Sequence, residues 1–252
     1  MILPHTTIGT GEPPLTFVHG FTQTRTSWMP VATELAPRHR CILVDAPHHG
    51  EAHDRDVTFD QAADLVADTA VDSVLVGYSM GGRLALAAAV RHSSSLRALV
   101  LVSATAGIVD DAERETRRAA DEALAARIEA IGTDEFLREW TTQPMFAKST
   151  IANDDYQSRR TNDPHSLAQS LRQCSTGMQV PLWAELGQIT IPTLVLAGER
   201  DGKYVDIAER LHRSIRGSEL AIVSDAGHAT HLDRPLKCVA LLADFVARRV
   251  SR

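Results

Sequence analysis

The chain of 252 residues is long enough for one large domain, or for one domain with an inserted segment. Its net charge of −6 and pI near 6.0 argue against a surface for nucleic acid or anionic lipid, so we expect neither as a partner. Three widely spaced cysteines fit neither a disulfide framework nor a zinc site, and no apolar run reaches the ~18 residues of a membrane span. Since the first residues also lack the pattern of a secretory signal, we expect a cytoplasmic protein.

Six short apolar runs predict the strands of a sheet: 15–18, 41–45, 73–77, 98–103, 193–198 and 220–224. Continuous apolar runs are typical of parallel strands that are buried on both faces. Helical patterns such as 59–70 and 81–92 lie between most of these runs. The alternation predicts an α/β fold, with a mostly parallel central sheet and helices on both of its faces.

The interval 107–189 breaks this alternation. It shows no strand pattern and contains charged, helix-forming segments such as DDAERETRRAADEALAARIEAI and DEFLREW. A helical insertion between two strands of one sheet predicts a lid over the carboxyl edge of that sheet. We therefore predict a core formed by residues 1–106 and 190–252, with residues 107–189 inserted as a helical lid.

The first chemical signal is the sequence GYSMG at residues 77–81, a G-x-S-x-G between a predicted strand and a predicted helix. The glycines allow a sharp, strained turn that exposes the hydroxyl of Ser79. The amino terminus of the following helix favours negative charge that develops there. This context favours a catalytic serine over an ordinary strand-to-helix turn.

Two further residues follow predicted strands in the order expected for a catalytic triad. Asp201 lies just past the run 193–198, and His228 lies just past the last run. Ser, then Asp, then His is the order in α/β-hydrolases, whose strand ends converge on one crevice. Asp225 and His231 are the alternatives, but Asp225 is expected in the turn itself and His231 further into the loop.

The segment FVHGF at residues 17–21 supplies a candidate oxyanion hole. Its loop follows a predicted strand, and we predict that the backbone N–H groups of Phe21 and Met80 bind an oxyanion together. The alternative is a simple turn after the strand.

Arg83 lies four residues after Ser79, on roughly the same face of the predicted helix. A buried arginine is costly unless it is paired, so Arg83 forms either an ion pair within the protein or a contact with an anionic substrate. The lid contains further candidates for such a contact: Arg114, Arg117, Arg118, Arg159 and Arg160. We expect a small anionic substrate and no metal or organic cofactor. The histidines of HHGEAHD (His48, His49 and His53) could suggest a metal, but we interpret them as a surface loop.

Four longer motifs carry a more specific resemblance: GYSMGGR at 77–83, WTTQPMF at 140–146, GMQVPLW at 177–183 and GERDGK at 198–203. From about residue 15 onwards the sequence resembles the MenH family, the 2-succinyl-6-hydroxy-2,4-cyclohexadiene-1-carboxylate synthases of the α/β-hydrolase superfamily. The resemblance implies an α/β-hydrolase fold and a set of substrate-binding residues: Tyr78, Arg83, Arg117, Trp140, Arg160, Gln179 and Trp183. Arg118 and Arg159 are alternatives to Arg117 and Arg160.

The reaction implied by the resemblance is an elimination in menaquinone biosynthesis. Pyruvate leaves 2-succinyl-5-enolpyruvyl-6-hydroxy-3-cyclohexene-1-carboxylate, and Ser79, activated by His228 and Asp201, acts as the base. One alternative is a serine hydrolase, either a carboxylesterase or a C–C bond hydrolase, that acts on a small carboxylate-bearing substrate. Another is a non-catalytic ligand-binding module with the same fold. The oligomeric state is left open.

Three segments differ from the usual pattern of the family. Members commonly have D-x-P-G-H-G-x-S where this chain has Asp45 followed by APHHGEA. Thr141 stands where a tyrosine often follows the lid tryptophan, and QVPLW replaces Q-P-S-L-W around Gln179. All three segments border the expected pocket.

Overall fold

A computed structural model describes residues 2–143, 146 and 152–250, in which seven strands form one sheet of order β1-β3-β2-β4-β5-β6-β7. The strands are β1 (His5–Ile8), β2 (Leu15–Val18), β3 (Cys41–Val44), β4 (Val74–Tyr78), β5 (Ala98–Val102), β6 (Thr193–Gly198) and β7 (Glu219–Val223). β1 pairs antiparallel with β3, and every other neighbouring pair is parallel. The predicted mostly parallel α/β fold is confirmed.

The strand that the sequence did not predict is β1. The six predicted strands agree with β2–β7 to within one residue at either end. β1 has the sequence HTTI, three of its four residues are exposed, and it pairs only with β3 at the edge of the sheet. Because an edge strand of this kind has no fully buried face, it lacks the apolar run on which the prediction relied.

Helices cover both faces of the sheet. They are α1 (Met29–Leu35), α2 (Phe59–Thr69), α3 (Met80–His92), α4 (Asp111–Trp140), α5 (Asn153–Arg159), α6 (Pro164–Cys174), α7 (Gly202–Ser214), α8 (Thr230–Asp233) and α9 (Pro235–Arg249). Alternate strand residues point to opposite faces, so Leu75 packs into the core under α2, α3 and α7, whereas Val76 packs into the core under α1 and α9. The helices thereby fix the sheet from both sides.

The register of the parallel strands brings distant loops to one edge. Val18 at the end of β2 pairs with Gly77, and Val102 at the end of β5 pairs with Tyr78. The loops that follow β2, β4 and β5 therefore begin at the same edge of the sheet. Ser79, which follows β4, lies between the loops that follow β2 and β5. Active-site residues of open α/β sheets are found at such carboxyl edges.

The segment 107–189 between β5 and β6, which we call the lid, contributes α4, α5 and α6. Ile128 and Phe136 of α4 pack against Leu167 and Leu171 of α6, and Phe21 of the core packs against this cluster. The side chain of Asp163 accepts a hydrogen bond from the Ser166 N–H at 2.8 Å, which begins α6. The lid thus has an apolar core of its own.

Gly132 divides α4 into two helical segments. Its φ of 75° and ψ of 169° are non-helical and lie in a region that glycine alone adopts readily. This matches the two separate helical patterns in the sequence on either side of residue 132. Across residues 2–143, 146 and 152–250, no helix is long and apolar enough to span a membrane.

We predict that Gly132→Ala destabilises the protein for a backbone reason alone. Beyond the adjacent backbone, no atom of the described residues lies within 4 Å of the position that a Cβ would occupy, so a methyl group fits. The positive φ should nevertheless cost about 1–3 kcal/mol of unfolding free energy. Urea denaturation measures this change. Gly187→Ala is the matched control, since its Cβ also meets nothing within 4 Å and its φ is not positive. Equal stability of the two variants would contradict the prediction.

Candidate active site

Ser79 lies in the tight turn between β4 and α3. It has a φ of 51° and a ψ of −110°, an uncommon conformation for a residue with a side chain, and its N–H donates to the Val102 carbonyl at 2.9 Å. A Cβ on Gly77 would lie 2.4 Å from the Gly81 carbonyl oxygen, a distance that no side chain tolerates. The turn therefore requires glycine on both sides of the serine, as the G-x-S-x-G pattern predicts.

Ser79, His228 and Asp201 form a continuous hydrogen-bonded chain. The distance from His228 Nε2 to Ser79 Oγ is 3.0 Å, and the distance from His228 Nδ1 to Asp201 Oδ2 is 2.7 Å. Because the Asp201 carboxylate can only accept, the Nδ1–H donates to it, which leaves Nε2 free to accept the hydroxyl proton of Ser79. The arrangement can remove a proton from the serine or from a group that lies against it.

The two alternative residues do not join this chain. Asp225 is exposed and pairs with Arg200 at 2.8 Å. His231 is fully buried beneath Tyr78, and its two ring nitrogens have no hydrogen-bond partner among the described residues. Burial holds its pKa well below the usual value. The structure therefore brings His228 and Asp201 to the serine, and not His231 or Asp225.

Two residues that the sequence analysis missed hold His228 in place. The hydroxyl of Ser103, at the end of β5, donates to the His228 carbonyl at 2.8 Å. The ring of Tyr204 packs edge-on against the imidazole, with 4.4 Å between ring centroids. Tyr204 directly follows the GERDGK motif, but nothing in the sequence marks Ser103, because its role depends on the distant pairing of β5 with β4.

The N–H groups of Phe21 and Met80 are available for an oxyanion. In the described part of the chain neither of them donates a hydrogen bond, whereas the adjacent Gly20 N–H donates to Gln23 at 3.0 Å and the Gly81 N–H donates to the His19 carbonyl at 3.1 Å. Two unused donors beside a serine are what an oxyanion hole requires.

A cavity of about 400 Å³ lies over Ser79 and His228. Of the residues predicted to bind substrate, Tyr78, Arg83, Arg117 and Trp140 line it, whereas Arg160, Gln179 and Trp183 do not. The Nε1 of Trp140 is buried without a hydrogen-bond partner among the described residues. Phe146 of the same lid motif also lines the cavity; Pro144 and Met145 lie outside the described residues.

Arg83 is buried in the cavity wall and is held by neutral groups. Its Nη2 donates to the Cys174 carbonyl at 2.8 Å, its Nη1 donates to Gln179 Oε1 at 3.4 Å, and its guanidinium lies 5.5 Å from the centroid of the Phe59 ring. No described carboxylate forms an ion pair with it. Burial lowers its pKa to about 10, so the guanidinium remains charged at neutral pH.

Gln179 and Trp183 lie behind the residues that line the cavity, which corrects their predicted role as substrate contacts. Gln179 is fully buried, and its Oε1 accepts a hydrogen bond from Arg83, which lines the cavity. The Nε1 of Trp183 donates to the Gly107 carbonyl at 2.9 Å, and the Arg210 guanidinium stacks 3.7 Å from the centroid of its ring. Trp183 therefore fixes the start of the lid.

The prediction for Arg160 is also corrected, in favour of its neighbour Arg159. Adjacent residues at the end of α5 point to different sides of the helix, and Arg160 faces outward to an ion pair with Asp134. Arg159 is 2% exposed and lines the cavity. It is paired with Asp155 at 2.7 Å, and its Nη1 donates to the Thr22 hydroxyl at 3.4 Å.

Arg117 lines the cavity as predicted, and its Nε lies 2.8–2.9 Å from both carboxylate oxygens of Asp121. Arg118 instead donates to the Gly177 carbonyl at 2.8 Å, and Arg114 bonds the Ile108 carbonyl, both outside the cavity. Three guanidinium groups therefore line the cavity, and Arg83 is the one without a carboxylate among the described residues.

Comparison with known proteins agrees with this geometry. Residues 17–241 match the model of the alpha/beta hydrolase family. The chain is 31% identical over 245 residues to the 2-succinyl-6-hydroxy-2,4-cyclohexadiene-1-carboxylate synthase of Klebsiella pneumoniae, with 94% of this chain and 95% of that protein covered. The chain belongs to the MenH family of α/β-hydrolases.

Other relatives agree with this family. The synthase of Escherichia coli O17:K52:H18 is 32% identical over 247 residues, and 94% of each chain is covered. The structure of MenH from S. aureus superposes with a TM-score of 0.88 at 29% identity and covers 96% of this chain and 97% of that one. An esterase from Thermogutta terrifontis, at 24% identity and a TM-score of 0.81 over 98% and 94% of the two chains, shows the shared fold alone.

One departure from the MenH pattern has a visible structural cost. His48 stands at a position where members commonly have glycine, and its φ is 69°. The ring is bonded to the Val57 carbonyl at 3.1 Å and is buried, as is the ring of His49. The expectation that HHGEAHD is a surface loop is therefore wrong for His48 and His49, while His53 is exposed. The described residues contain no group of three side chains that could bind a metal.

His19 and His49 are neutral side chains that support the loop of Phe21. His19 Nδ1–H donates to the Gly20 carbonyl at 2.8 Å and its Nε2 accepts from the Ala46 N–H at 3.1 Å. Burial lowers the pKa of His19 to about 4 and that of His49 to about 3. The native protein therefore does not take up these protons in mild acid.

We predict that this burial makes the protein sensitive to acid. Below pH 6.5 the unfolded chain protonates His49 and the native state does not, so stability decreases as pH falls toward about 3. At pH 5 the protonation of His49 in the unfolded chain should lower the free energy of unfolding by about 2 kcal/mol relative to neutral pH. Each unit between the pH and the unfolded pKa corresponds to about 1.36 kcal/mol. The stability difference between pH 7 and pH 5, measured by urea denaturation, should shrink by that amount in His49→Gln. His53→Gln in the same loop is the control, and equal pH dependence of both variants would contradict the prediction.

Proposed function

We propose that this chain is a lyase that eliminates pyruvate from 2-succinyl-5-enolpyruvyl-6-hydroxy-3-cyclohexene-1-carboxylate, forming 2-succinyl-6-hydroxy-2,4-cyclohexadiene-1-carboxylate in menaquinone biosynthesis. The names of the relatives support this reaction. The observation that carries the proposal is a buried, charged Arg83 beside a Ser-His-Asp chain, in a cavity where neutral groups hold the guanidinium. An ester hydrolase for neutral substrates has no use for such a charge.

The cationic groups of the cavity fit a substrate with several carboxylates. Arg83 and Arg117 line the same cavity; burial lowers the pKa of Arg83, Arg117 lowers it further, and Asp121 beside Arg117 acts in the opposite direction. Arg159 is bonded to Thr22 and lies at the wall formed by the loop that follows β2. A charge-assisted hydrogen bond contributes about 1.5–3 kcal/mol, so each carboxylate contact would favour an acid over a neutral analogue by more than tenfold.

We assign the proton transfer to Ser79. His228 Nε2 takes the hydroxyl proton of Ser79, and the resulting alkoxide removes a proton from a ring carbon of the substrate. The imidazolium formed on His228 is stabilised by Asp201, which holds the Nδ1–H at 2.7 Å. Ser79 thus acts as a base and forms no acyl intermediate.

The remaining groups stabilise charge and release the leaving group. As the proton departs from the ring carbon next to the succinyl carbonyl, negative charge develops on that carbonyl oxygen, where the N–H groups of Phe21 and Met80 would stabilise it. The ring electrons then expel the enolpyruvyl oxygen, and the enolpyruvate takes up a proton to become pyruvate. No cofactor is needed for this balance. We further propose that residues 107–189 act as a lid that keeps water from the cavity, and that the enzyme acts in the cytoplasm.

The test is a paired assay with Ser79→Ala as the control in both arms. One arm supplies the enolpyruvyl cyclohexene, made in situ by the enzymes that precede this step, and follows pyruvate release. The other arm offers p-nitrophenyl acetate and butyrate. We expect pyruvate release that depends on Ser79, with rates lowered at least about 10³-fold in the alanine variant because the base is lost.

A different result would assign a different reaction. Pyruvate release no faster than the spontaneous reaction, together with ester cleavage that depends on Ser79, would identify a hydrolase that acts on a carboxylate-bearing substrate. Equal behaviour of the wild type and Ser79→Ala in both arms would indicate a binding module.

The adjacent residues Arg159 and Arg160 provide a further prediction. Arg159→Gln should lower kcat/KM for pyruvate release at least tenfold, because a charge-assisted contact of about 1.5–3 kcal/mol is lost. Arg160→Gln removes an exposed ion pair with Asp134 and should change kcat/KM less than about twofold. Steady-state kinetics of both variants, with melting curves to verify folding, make the comparison. A larger effect at Arg160 would show that the cavity assignment is wrong.

A further inference from the structure

The loop that follows β2, residues 19–24, is held in a strained conformation. Thr22 has a φ of 68°, which a β-branched residue rarely adopts, and it is fully buried. Strain of this kind persists only where surrounding contacts fix the backbone. Since Phe21 directly precedes Thr22, the contacts that hold Thr22 also fix the direction of the Phe21 N–H.

The side chain of Asn162, between α5 and α6 of the lid, makes the central contact. Its Nδ2 donates to the Thr22 carbonyl at 2.9 Å and to the Arg159 carbonyl at 3.0 Å. Its Oδ1 accepts from the Gly50 N–H at 2.8 Å. Asn162 is 3% exposed, and it joins the lid to two core loops through one amide group.

The bonding pattern requires an amide at this position. Both hydrogens of Nδ2 point at carbonyl oxygens, and Oδ1 faces an N–H, so the orientation of the amide is defined by its partners. An aspartate would still accept from Gly50 but could not donate to Thr22, and it would place a negative oxygen against two carbonyls. The change from Asn to Asp therefore removes the donations to Thr22 and Arg159 and keeps the acceptor for Gly50.

A second contact of Asn162 offers a comparison. The hydroxyl of Thr133 in α4 donates to the main-chain carbonyl of Asn162 at 2.8 Å, in a buried setting. This bond fastens the α5–α6 connection to the rest of the lid and does not involve the Thr22 carbonyl. Removing it weakens the lid while leaving the amide in place.

We propose that Asn162 is a positioning residue that holds, from the lid, the loop whose Phe21 N–H stabilises the oxyanion. This role rests on the proposed function, because the Phe21 N–H matters only if Ser79 carries out a reaction. Without the amide, Thr22 can relax to a negative φ and turn the Phe21 N–H away from the developing charge. The side chain of Asn162 bonds neither Arg83 nor Arg117, so most of the substrate binding is retained, and kcat should fall by a larger factor than KM rises.

The variant that tests this is Asn162→Asp, with Asn153→Asp as the matched control. Asn153 lies at the exposed start of α5 and undergoes the same chemical change. We expect Asn162→Asp to lower kcat for pyruvate release about 10- to 100-fold, an effect no larger than that of deleting an oxyanion donor. KM should stay within about threefold of the wild-type value. Asn153→Asp should leave both constants within about twofold.

Thr133→Val separates positioning from simple stability. It should lower the melting temperature by a few degrees, about the shift expected for one lost hydrogen bond, and keep kcat within about twofold. Assays are run well below the melting temperature of every variant. If Asn162→Asp and Thr133→Val reduce kcat alike, or if Asn162→Asp raises KM with kcat unchanged, the positioning role is overturned.

The same variants distinguish this proposal from the reaction itself. If the wild type releases no pyruvate but cleaves p-nitrophenyl acetate through Ser79, the lyase assignment fails. The positioning role is then tested by the kcat of Asn162→Asp in ester cleavage, because the tetrahedral oxyanion uses the same N–H. Unchanged ester cleavage in Asn162→Asp would overturn the role. A wild type inactive in both reactions would overturn both proposals.

Discussion

The close packing of the β4–α3 turn against the end of β2 is the constraint on which the site depends. A Cβ on Gly81 would lie 2.4 Å from the carbonyl oxygens of both Val18 and His19. That approach, together with the hydrogen bond from the Gly81 N–H to His19, brings the start of α3 against the loop of Phe21. This one contact between backbones places the partly buried Ser79 beside the two unused N–H groups.

Sequence reasoning predicted most of the core because its signals are local. Buried parallel strands require continuous apolar runs, and the turn at Ser79 requires glycines at fixed spacing, so both can be read from neighbouring residues. β1 has no such run, since three of its four residues are exposed and the strand pairs with β3 at the edge of the sheet. The triad could be predicted because its members each follow a strand, and the parallel sheet brings strand ends together.

The predictions were less successful wherever a role depends on which way a side chain points. Arg159 and Arg160 are adjacent and chemically identical, and only the packing of α5 on the core shows that the first faces the cavity. Gln179 and Trp183 belong to one motif, yet the structure places both behind the wall. Asn162 carries no sequence signal, because two of its three side-chain partners, Thr22 and Gly50, are distant in the chain.

The neutral anchoring of Arg83 has an evolutionary consequence. Arg117 and Arg159 each have a carboxylate partner on their own helix, so part of their charge is balanced within the protein. Arg83 keeps its full charge because Gln179 presents an amide oxygen at the place where a glutamate would present a carboxylate. A single nucleotide change turns a glutamine codon into a glutamate codon. A glutamate at this position would give Arg83 the kind of partner that Arg117 and Arg159 already have, and would balance the charge on which the proposed binding of an acid depends.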